Sequence, residues 1–129
     1  MESVEIAGQN LKQKKEMKFS LIVKDEILTL ELEGDLIGEN SGIDLMEAIN
    51  EKIEAGLKKC IIDISELRYI NSSGIGVLIT ILTKFRNRGG EVCLLEPSES
   101  VKKLLIITKL NAIFNVALSR EQAIEQLNQ

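Results

Sequence analysis

The first half of the chain contains two runs in which apolar and polar residues alternate. One run extends from Met17 to Val23 and the other from Ile27 to Gly34, with Lys-Asp-Glu between them. Alternation with a period of two places the apolar side chains on one face of a strand. The two runs therefore predict an antiparallel β-hairpin with a tight turn.

Later segments repeat their apolar residues at helical spacing. One helix is predicted from Ser41, which with Asp44 resembles a capping box, to Gly56. A second is predicted after Ser72. Its apolar stripe consists of Ile75, Leu78, Ile79, Leu82 and Phe85. Two further helices are predicted after Ser98 and after Ser119.

Short apolar runs at 60–64, 91–95 and 113–116 separate these helices and predict strands. A hairpin followed by alternating strands and helices is typical of an α/β domain. We therefore expect one domain with a mixed, mostly parallel sheet of about five strands. The hairpin would lie at its edge, and about four helices would pack against it.

The length of 129 residues suits a single domain. Residues 1–16 are polar and have no sustained apolar periodicity, so they predict a flexible N-terminal extension. The folded domain is then expected to span residues 17–129.

Composition narrows the classes of function. The formal charge is −4 and the basic residues are scattered, which argues against nucleic-acid binding. No apolar run has the length of a membrane span, and no signal peptide is visible, so a cytoplasmic protein is expected.

Cys60 and Cys93 lie in strand-like apolar runs, which favours a buried reduced pair. No metal-ligand spacing is present, and we expect no cofactor.

The segment from Asp63 to Gly76, D-I-S-E-L-R-Y-I-N-S-S-G-I-G, connects a predicted strand to a predicted helix. Such connections lie at the carboxyl edge of an α/β sheet, where functional sites usually form. Asn71 or Ser72 can cap the helix, while Gly74 keeps its first turn bare. On the local motif N-S-S-G alone, a good helix start without further function is the favoured interpretation.

A helical wheel for the second helix places Val77, Thr80 and Lys84 opposite the apolar stripe. This mixed outer face would lie beside Ser73. It offers a surface on which a partner could dock.

The segment D-I-S-E-L-R-Y-I-N-S-S-G-I-G-V-L resembles the signature of STAS domains in bacterial anti-sigma factor antagonists. The segments G-G-E, P-S-E-S-V-K-K-L-L and L-N-A-I-F resemble later parts of the same family. The likeness extends from about Met17 to the C-terminus and implies a STAS fold.

The resemblance also implies a function. In that family an anti-sigma factor that is itself a serine kinase phosphorylates the first serine of this motif, here Ser72, and a serine phosphatase reverses the reaction. The unphosphorylated antagonist binds the anti-sigma factor, whereas the phosphorylated form does not. Ser73 is expected to be a first-turn hydroxyl that bonds to the backbone.

Three positions depart from the family pattern. Asn71 replaces the commoner aspartate, and Ile37 stands where many relatives have an acidic residue. Asp35 or Glu39 could take over the function of that carboxylate, or the function could be absent. Lys109 also replaces a common glycine, a change that we interpret as local. The expected partner-binding residues are Asp35, Glu39, Asn40, Asn71, Ser72, Ser73, Gly74, Val77 and Thr80.

Two other functions remain open on the sequence. The chain could be a STAS module without a phosphorylation cycle, which serves a transporter or a signalling complex. It could also be an enzyme with Ser72 as nucleophile, but the chain contains no histidine to act as a base and no G-x-S-x-G elbow. The spacing of Gly74 and Gly76 lacks the third glycine of a dinucleotide fingerprint. We therefore expect a non-enzymatic protein.

Overall fold

The computed structural model describes residues 3–7, 17–37 and 40–129. The strands are β1 (Ser3–Ala7), β2 (Lys18–Lys24), β3 (Ile27–Leu36), β4 (Lys59–Ile70), β5 (Glu91–Leu95) and β6 (Asn115–Ala117). The helices are α1 (Asn40–Glu54), α2 (Ser72–Arg86), α3 (Glu99–Ile107) and α4 (Arg120–Leu127), with a short 3-10 turn at Leu110–Ala112. The predicted fold class, a mixed α/β sheet with four helices, is confirmed.

The six described strands form one sheet in the order β1-β2-β3-β4-β5-β6. The pairs β1/β2 and β2/β3 are antiparallel, and the three later pairs are parallel. Each parallel connection contains a helix, as the alternation of strands and helices requires. The parallel strands therefore end at a common edge of the sheet.

The turn between β2 and β3 consists of Asp25 and Glu26. Both residues have positive φ angles, 53° and 65°. Positive φ at both central residues is the requirement of a type I′ turn, whose twist matches that of the flanking strands. The predicted hairpin is confirmed, and it pairs Lys24 with Ile27.

The N-terminal segment differs from the prediction. Ser3–Ala7, part of the segment expected to be a flexible extension, forms β1 and pairs antiparallel with β2 from Ser3↔Val23 to Ala7↔Phe19. The sheet therefore has one strand more than expected, and β1 rather than the hairpin forms its edge. The rest of residues 1–16 lies outside the described residues. Five residues are too few to show a period, and the backbone hydrogen bonds of β1 come from a strand more than ten residues away.

Apolar side chains pack on both faces of the sheet. The larger cluster joins the sheet to α1, α2 and α3 and includes Leu36, Ile70 and Phe85. The smaller cluster lies on the opposite face under α4 and includes Ile61 and Cys93. Helices on both faces bury the parallel strands, which explains why these strands are continuous apolar runs.

Cys60 and Cys93 are buried and free, as predicted. Cys60 belongs to the larger cluster and Cys93 to the smaller one, so the two thiols lie on opposite faces of the sheet. Burial raises the pKa of the Cys60 thiol above its usual range and raises the pKa of Cys93 to about 11. Both thiols are protonated and unreactive at neutral pH.

β4 is longer than the sequence indicates. Beyond the predicted run at 60–64 it continues to Ile70, with two register shifts against β3, between Glu31 and Glu33 and between Gly34 and Asp35. After the second shift, Leu36 pairs with Ile70. β3 and β4 therefore end side by side, directly before α2 begins. β6, at Asn115–Ala117, lies slightly later than the predicted strand.

Candidate functional site at the start of α2

Asn71 is the N-cap of α2. Its side-chain Oδ1 accepts a hydrogen bond from the Gly74 backbone N–H at 2.8 Å, and its own backbone is extended, with φ −103° and ψ −177°. The Asn71 N–H donates to the carbonyl oxygen of Leu36 at 3.3 Å. The sequence left the cap open between Asn71 and Ser72, and the structure assigns it to Asn71. An amide caps a helix about as well as a carboxylate does, without adding a charge.

Gly74 brings the first turn of α2 onto the end of β3. Gly74 is buried, and a Cβ atom added there would overlap the Leu36 carbonyl oxygen and lie 2.8 Å from Ile70 Cγ1. Only glycine allows the backbone to approach so closely. In contrast, nothing lies within 4 Å of a Cβ added at Gly76. The position of the helix start is therefore set by contact with β3.

Ser72 and Ser73 are the first two residues of α2, and both are exposed. Because Asn71 provides the cap, neither hydroxyl is needed for it. The first turn of α2 contains no acidic residue. Free N–H groups and the helix dipole make such a terminus favourable for an anion. The arrangement presents an accessible hydroxyl where a negative charge would be tolerated.

Asp35 lies close to this helix start but does not offer a free carboxylate. Its side chain is only 9% exposed, and Arg68 binds it with both nitrogens of a fork, Nε to Oδ1 at 3.0 Å and Nη2 to Oδ2 at 2.9 Å. The hydrogen bond to Asp35 and the negative charge of Asp35 raise the pKa of Arg68. A direct contact between Asp35 and a partner is therefore disfavoured.

The outer face of α2 differs from the helical wheel. Val77 is partly buried against the larger cluster, and its Cγ2 lies 3.4 Å from where a Cβ at Gly42 of α1 would be. Lys84 is also half-buried. Thr80 is exposed, and its hydroxyl donates to the Gly76 carbonyl oxygen at 2.8 Å. For Val77 the wheel was wrong because it did not include α1, which packs against that side of α2.

Two other predicted contact residues follow Ile37 in the sequence. Glu39 falls outside the described residues. Asn40 is the first residue of α1. The structure therefore brings together Asp35, Asn71, Ser72, Ser73 and Gly74 at the junction of β3, β4 and α2.

Three exposed apolar residues on the same elements were not among the predicted contacts. Ile37 follows the end of β3 and is 41% exposed, Tyr69 pairs with Asp35 and is 54% exposed, and Ile79 on α2 is 36% exposed. The sequence signal for Ile37 was an apolar residue in a loop, where polar residues are usual. Tyr69 gave no such signal, because it lies in a strand that also contributes to the core. Ile79 was predicted to belong to the apolar stripe of α2, and this prediction was wrong, since Ile81 is buried and Ile79 is exposed.

Other kinds of site find little support. Within the described ranges, no group of three or more His, Cys, Asp or Glu side chains is placed to hold a metal ion. Within the same ranges, none of the helices has the length and apolar character needed to cross a membrane.

The model of the family described as STAS domain matches residues 18–123. The chain belongs to the STAS domain family. A relative from Bordetella bronchiseptica, named "Putative anti-sigma factor antagonist BtrV", is 28% identical over 107 residues, which cover 83% of this chain and 91% of the relative. The family resemblance drawn from the motif around Ser72 is thereby confirmed.

Solved structures share the fold. One is the crystal structure of a protein from Thermotoga maritima that is described as "a putative anti-sigma factor antagonist". It is 23% identical to this chain, the match covers 86% of this chain and 95% of the other, and the TM-score is 0.76. The structure of the Bacillus cell fate determinant SpoIIAA in its phosphorylated form is 24% identical, with a TM-score of 0.65. The match covers 84% of this chain and 97% of SpoIIAA. At these identities the likeness shows that the chain and these two proteins share one fold.

Proposed function

We propose that this STAS domain is an anti-sigma factor antagonist that binds an anti-sigma factor with serine-kinase activity and is switched off by phosphorylation of Ser72. The observation that carries the proposal is the exposed Ser72 hydroxyl at the first position of α2, released from capping by Asn71. The chain is then a substrate and a binding partner rather than an enzyme. Its place of action would be the cytoplasm, where sigma factors work.

The docking surface of this proposal is the carboxyl edge of the sheet with the start of α2. Ser72 and Ser73 lie at its centre, Thr80 extends it along α2, and Ile37 and Tyr69 add exposed apolar area. The proposed surface thus contains both apolar area and hydrogen-bonding groups, as protein–protein interfaces usually do. Gly74 and Asn71 hold the start of α2 in place through their contacts with Leu36 of β3.

Phosphorylation transfers the γ-phosphoryl group of ATP to Ser72 Oγ and releases ADP and the hydroxyl proton. The product carries about −1.5 to −2 charges at neutral pH. This charge lies at the positive end of α2, where the helix stabilises it by roughly 0.3 to 1 kcal/mol. The fold of the antagonist therefore persists, and a serine phosphatase would restore the hydroxyl by hydrolysis.

The same charge acts against the bound state. Ser72 lies at the centre of the proposed interface, so its phosphate would have to lose water against atoms of the partner. A loss of about 3 kcal/mol of binding free energy corresponds to roughly a hundredfold weaker affinity. Phosphorylation would thus release the partner without unfolding the antagonist.

Binding measurements on serine variants test this proposal. Isothermal titration with the cognate kinase-like partner should give similar affinity for wild type and Ser72→Ala, and about a hundredfold weaker affinity for Ser72→Asp. Ser73→Asp is the matched control one residue along the same turn, and we expect a smaller loss. Equal affinity of wild type, Ser72→Ala and Ser72→Asp would refute the switch.

The alternative is a STAS module without phosphorylation, which serves a transporter or a signalling complex. Exposed Ile37, at a position where relatives often have an acidic residue, favours it, because an apolar loop suits a constitutive contact. Phosphosite mapping on protein isolated from its own cell, before and after phosphatase treatment, separates the two. Affinity capture of a transporter component together with an unmodified Ser72 would support the alternative.

A further inference from the structure

The ion pair between Asp35 and Arg68 joins the ends of two neighbouring strands. Both oxygens of the carboxylate are engaged, at 3.0 Å and 2.9 Å, and the Asp35 side chain is 9% exposed, against 61% for Arg68. A two-pronged contact of this kind fixes orientation as well as distance. The pair is therefore suited to hold the end of β3 in one position against β4.

Arg68 owes its position to the second register shift between these strands. Leu67 pairs with Gly34 and Tyr69 with Asp35, which leaves Arg68 as the extra residue of β4. Gly34, with φ 93°, supplies the matching bend in β3. Extra residues of this kind redirect side chains and are frequent beside functional sites. Here the redirected side chain is the guanidinium that binds Asp35.

The end of β3 contacts the start of α2 through one carbonyl group. Leu36, which follows Asp35 directly, accepts the Asn71 N–H at 3.3 Å, and its carbonyl oxygen occupies the space that a Cβ at Gly74 would need. Gly74 in turn donates to Asn71 Oδ1 at 2.8 Å. Any displacement of the end of β3 therefore displaces the Asn71–Gly74 turn that contains Ser72.

We propose that Asp35 and Arg68 form a positioning pair that fixes the position and orientation of the Asn71–Gly74 turn, which contains Ser72. In this proposal Arg68 acts through Asp35 and Leu36, and direct contact with the partner or with the reacting hydroxyl is not required. The importance of the pair for phosphorylation rests on the proposed function, whereas its effect on the geometry of the turn does not. Asp35 thereby contributes to the site from its position in β3.

Amide hydrogen exchange measured by NMR tests the geometric claim. Arg68→Ala should accelerate exchange of the Gly74 amide by about tenfold relative to the Gln122 amide, which occupies the same position of the capped turn of α4. A general loss of stability would accelerate both amides alike. A Gly74-to-Gln122 ratio that rises by more than about threefold supports the proposal, and a smaller rise overturns it.

A double-mutant cycle tests whether Arg68 acts through Asp35. In an Asp35→Ala background, adding Arg68→Ala should change the Gly74-to-Gln122 ratio by less than about twofold, because the pair is already broken. A full effect of Arg68→Ala in that background would overturn the pairing. Arg68→Lys, which keeps the charge but loses the fork, is the second variant and should lie between wild type and Arg68→Ala.

Arg86→Ala is the matched control. Arg86 also donates through Nε to a carboxylate, Glu91 Oε1, at 2.9 Å, but it lies at the other end of α2. We expect it to leave the Gly74-to-Gln122 ratio unchanged. An equal effect of Arg86→Ala and Arg68→Ala would show that any surface arginine acts in this way and would overturn the proposal.

Phosphorylation by the partner with ATP gives the functional readout. Arg68→Ala should lower the rate of phosphate incorporation at Ser72 by about fivefold or more, while Arg86→Ala leaves it unchanged. If Ser72 of the wild type accepts no phosphate, the proposed switch fails, and the exchange ratios still decide the positioning pair. If the wild type accepts phosphate and Arg68→Ala does so at the same rate, the switch stands and the importance of the pair for it is refuted.

Discussion

The starts of α2 and α4 show how similar capping leads to different chemistry. α4 begins after Ser119, whose hydroxyl oxygen accepts the Gln122 N–H at 3.1 Å, and Gln122 Oε1 accepts the Leu118 N–H at 2.7 Å. Glu121 adds an acidic residue to that first turn. The polar groups at the start of α4 therefore satisfy one another.

At the start of α2 different residue types occupy the positions of the capped turn. Asn71 provides the cap, so the two serines that follow it are not required for helix formation and are exposed. Gly74 replaces the glutamine of α4 at the third position, because the Leu36 carbonyl group leaves no room for a side chain. Without an acidic residue in the first turn, the positive helix end remains available to an added anion. Ser119 occupies the capping position of its helix, whereas Ser72 lies one position after the capping residue.

The largest stability effect is expected at Gly74. Gly74→Ala forces a Cβ against the Leu36 carbonyl oxygen and Ile70, and we expect it to lower the free energy of unfolding by about 3 kcal/mol. Urea denaturation followed by circular dichroism measures the change. Gly76→Ala is the matched control in the same helix. Because a Cβ there meets nothing within 4 Å, it should raise the free energy of unfolding by about 0.5 to 1 kcal/mol. Equal effects at both glycines would contradict the close approach of α2 to β3.

An intermediate effect is expected from removal of the two caps. Asn71→Ala and Ser119→Ala should each lower the free energy of unfolding by about 1 kcal/mol, because each leaves one N–H of a first turn without its acceptor. Only Asn71→Ala should also weaken partner binding, measured by titration calorimetry, since α4 lies on the opposite face of the sheet. Loss of binding in both variants would indicate a general stability effect instead.

The smallest effect is expected from a negative charge at the start of α2. Ser72→Asp should raise the free energy of unfolding by roughly 0.3 to 1 kcal/mol at low ionic strength, because the carboxylate interacts with the helix dipole. Thr83→Asp, at an exposed position in the last turn of the same helix, should lower it by a similar amount. The two changes should shrink in 1 M NaCl, at a Debye length of about 3 Å. A destabilising Ser72→Asp would contradict an anion-tolerant helix start.

Local patterns predicted the parts of the fold that depend on neighbouring residues. The hairpin could be predicted because alternation and the turn at Asp25 lie within one short stretch, and α2 because its stripe is long. β1 could not, because its backbone hydrogen bonds go to a strand outside its own segment. The rotation of α2, which half-buries Val77, depends on where α1 packs.

In the candidate site, too, features set by neighbouring residues were predictable and contacts between distant residues were not. The motif around Ser72 identified the connection between β4 and α2, since strand, cap and helix follow one another directly in the chain. The contact between Asp35 and Arg68 was not predictable, because the two residues are 33 positions apart and meet only through a register shift between β3 and β4. Contacts set by strand register cannot be read from periodicity.

The most direct measurement compares the partner's affinity for the two forms of the native chain. The protein is phosphorylated with ATP by its captured partner, and mass spectrometry establishes that the phosphate is on Ser72 and that Ser73 and Ser119 are unmodified. Titration calorimetry should then give a Kd about a hundredfold higher for the phosphorylated form, with an unchanged circular dichroism spectrum. Equal Kd values for the two forms, or phosphate on Ser73 in place of Ser72, would contradict the switch.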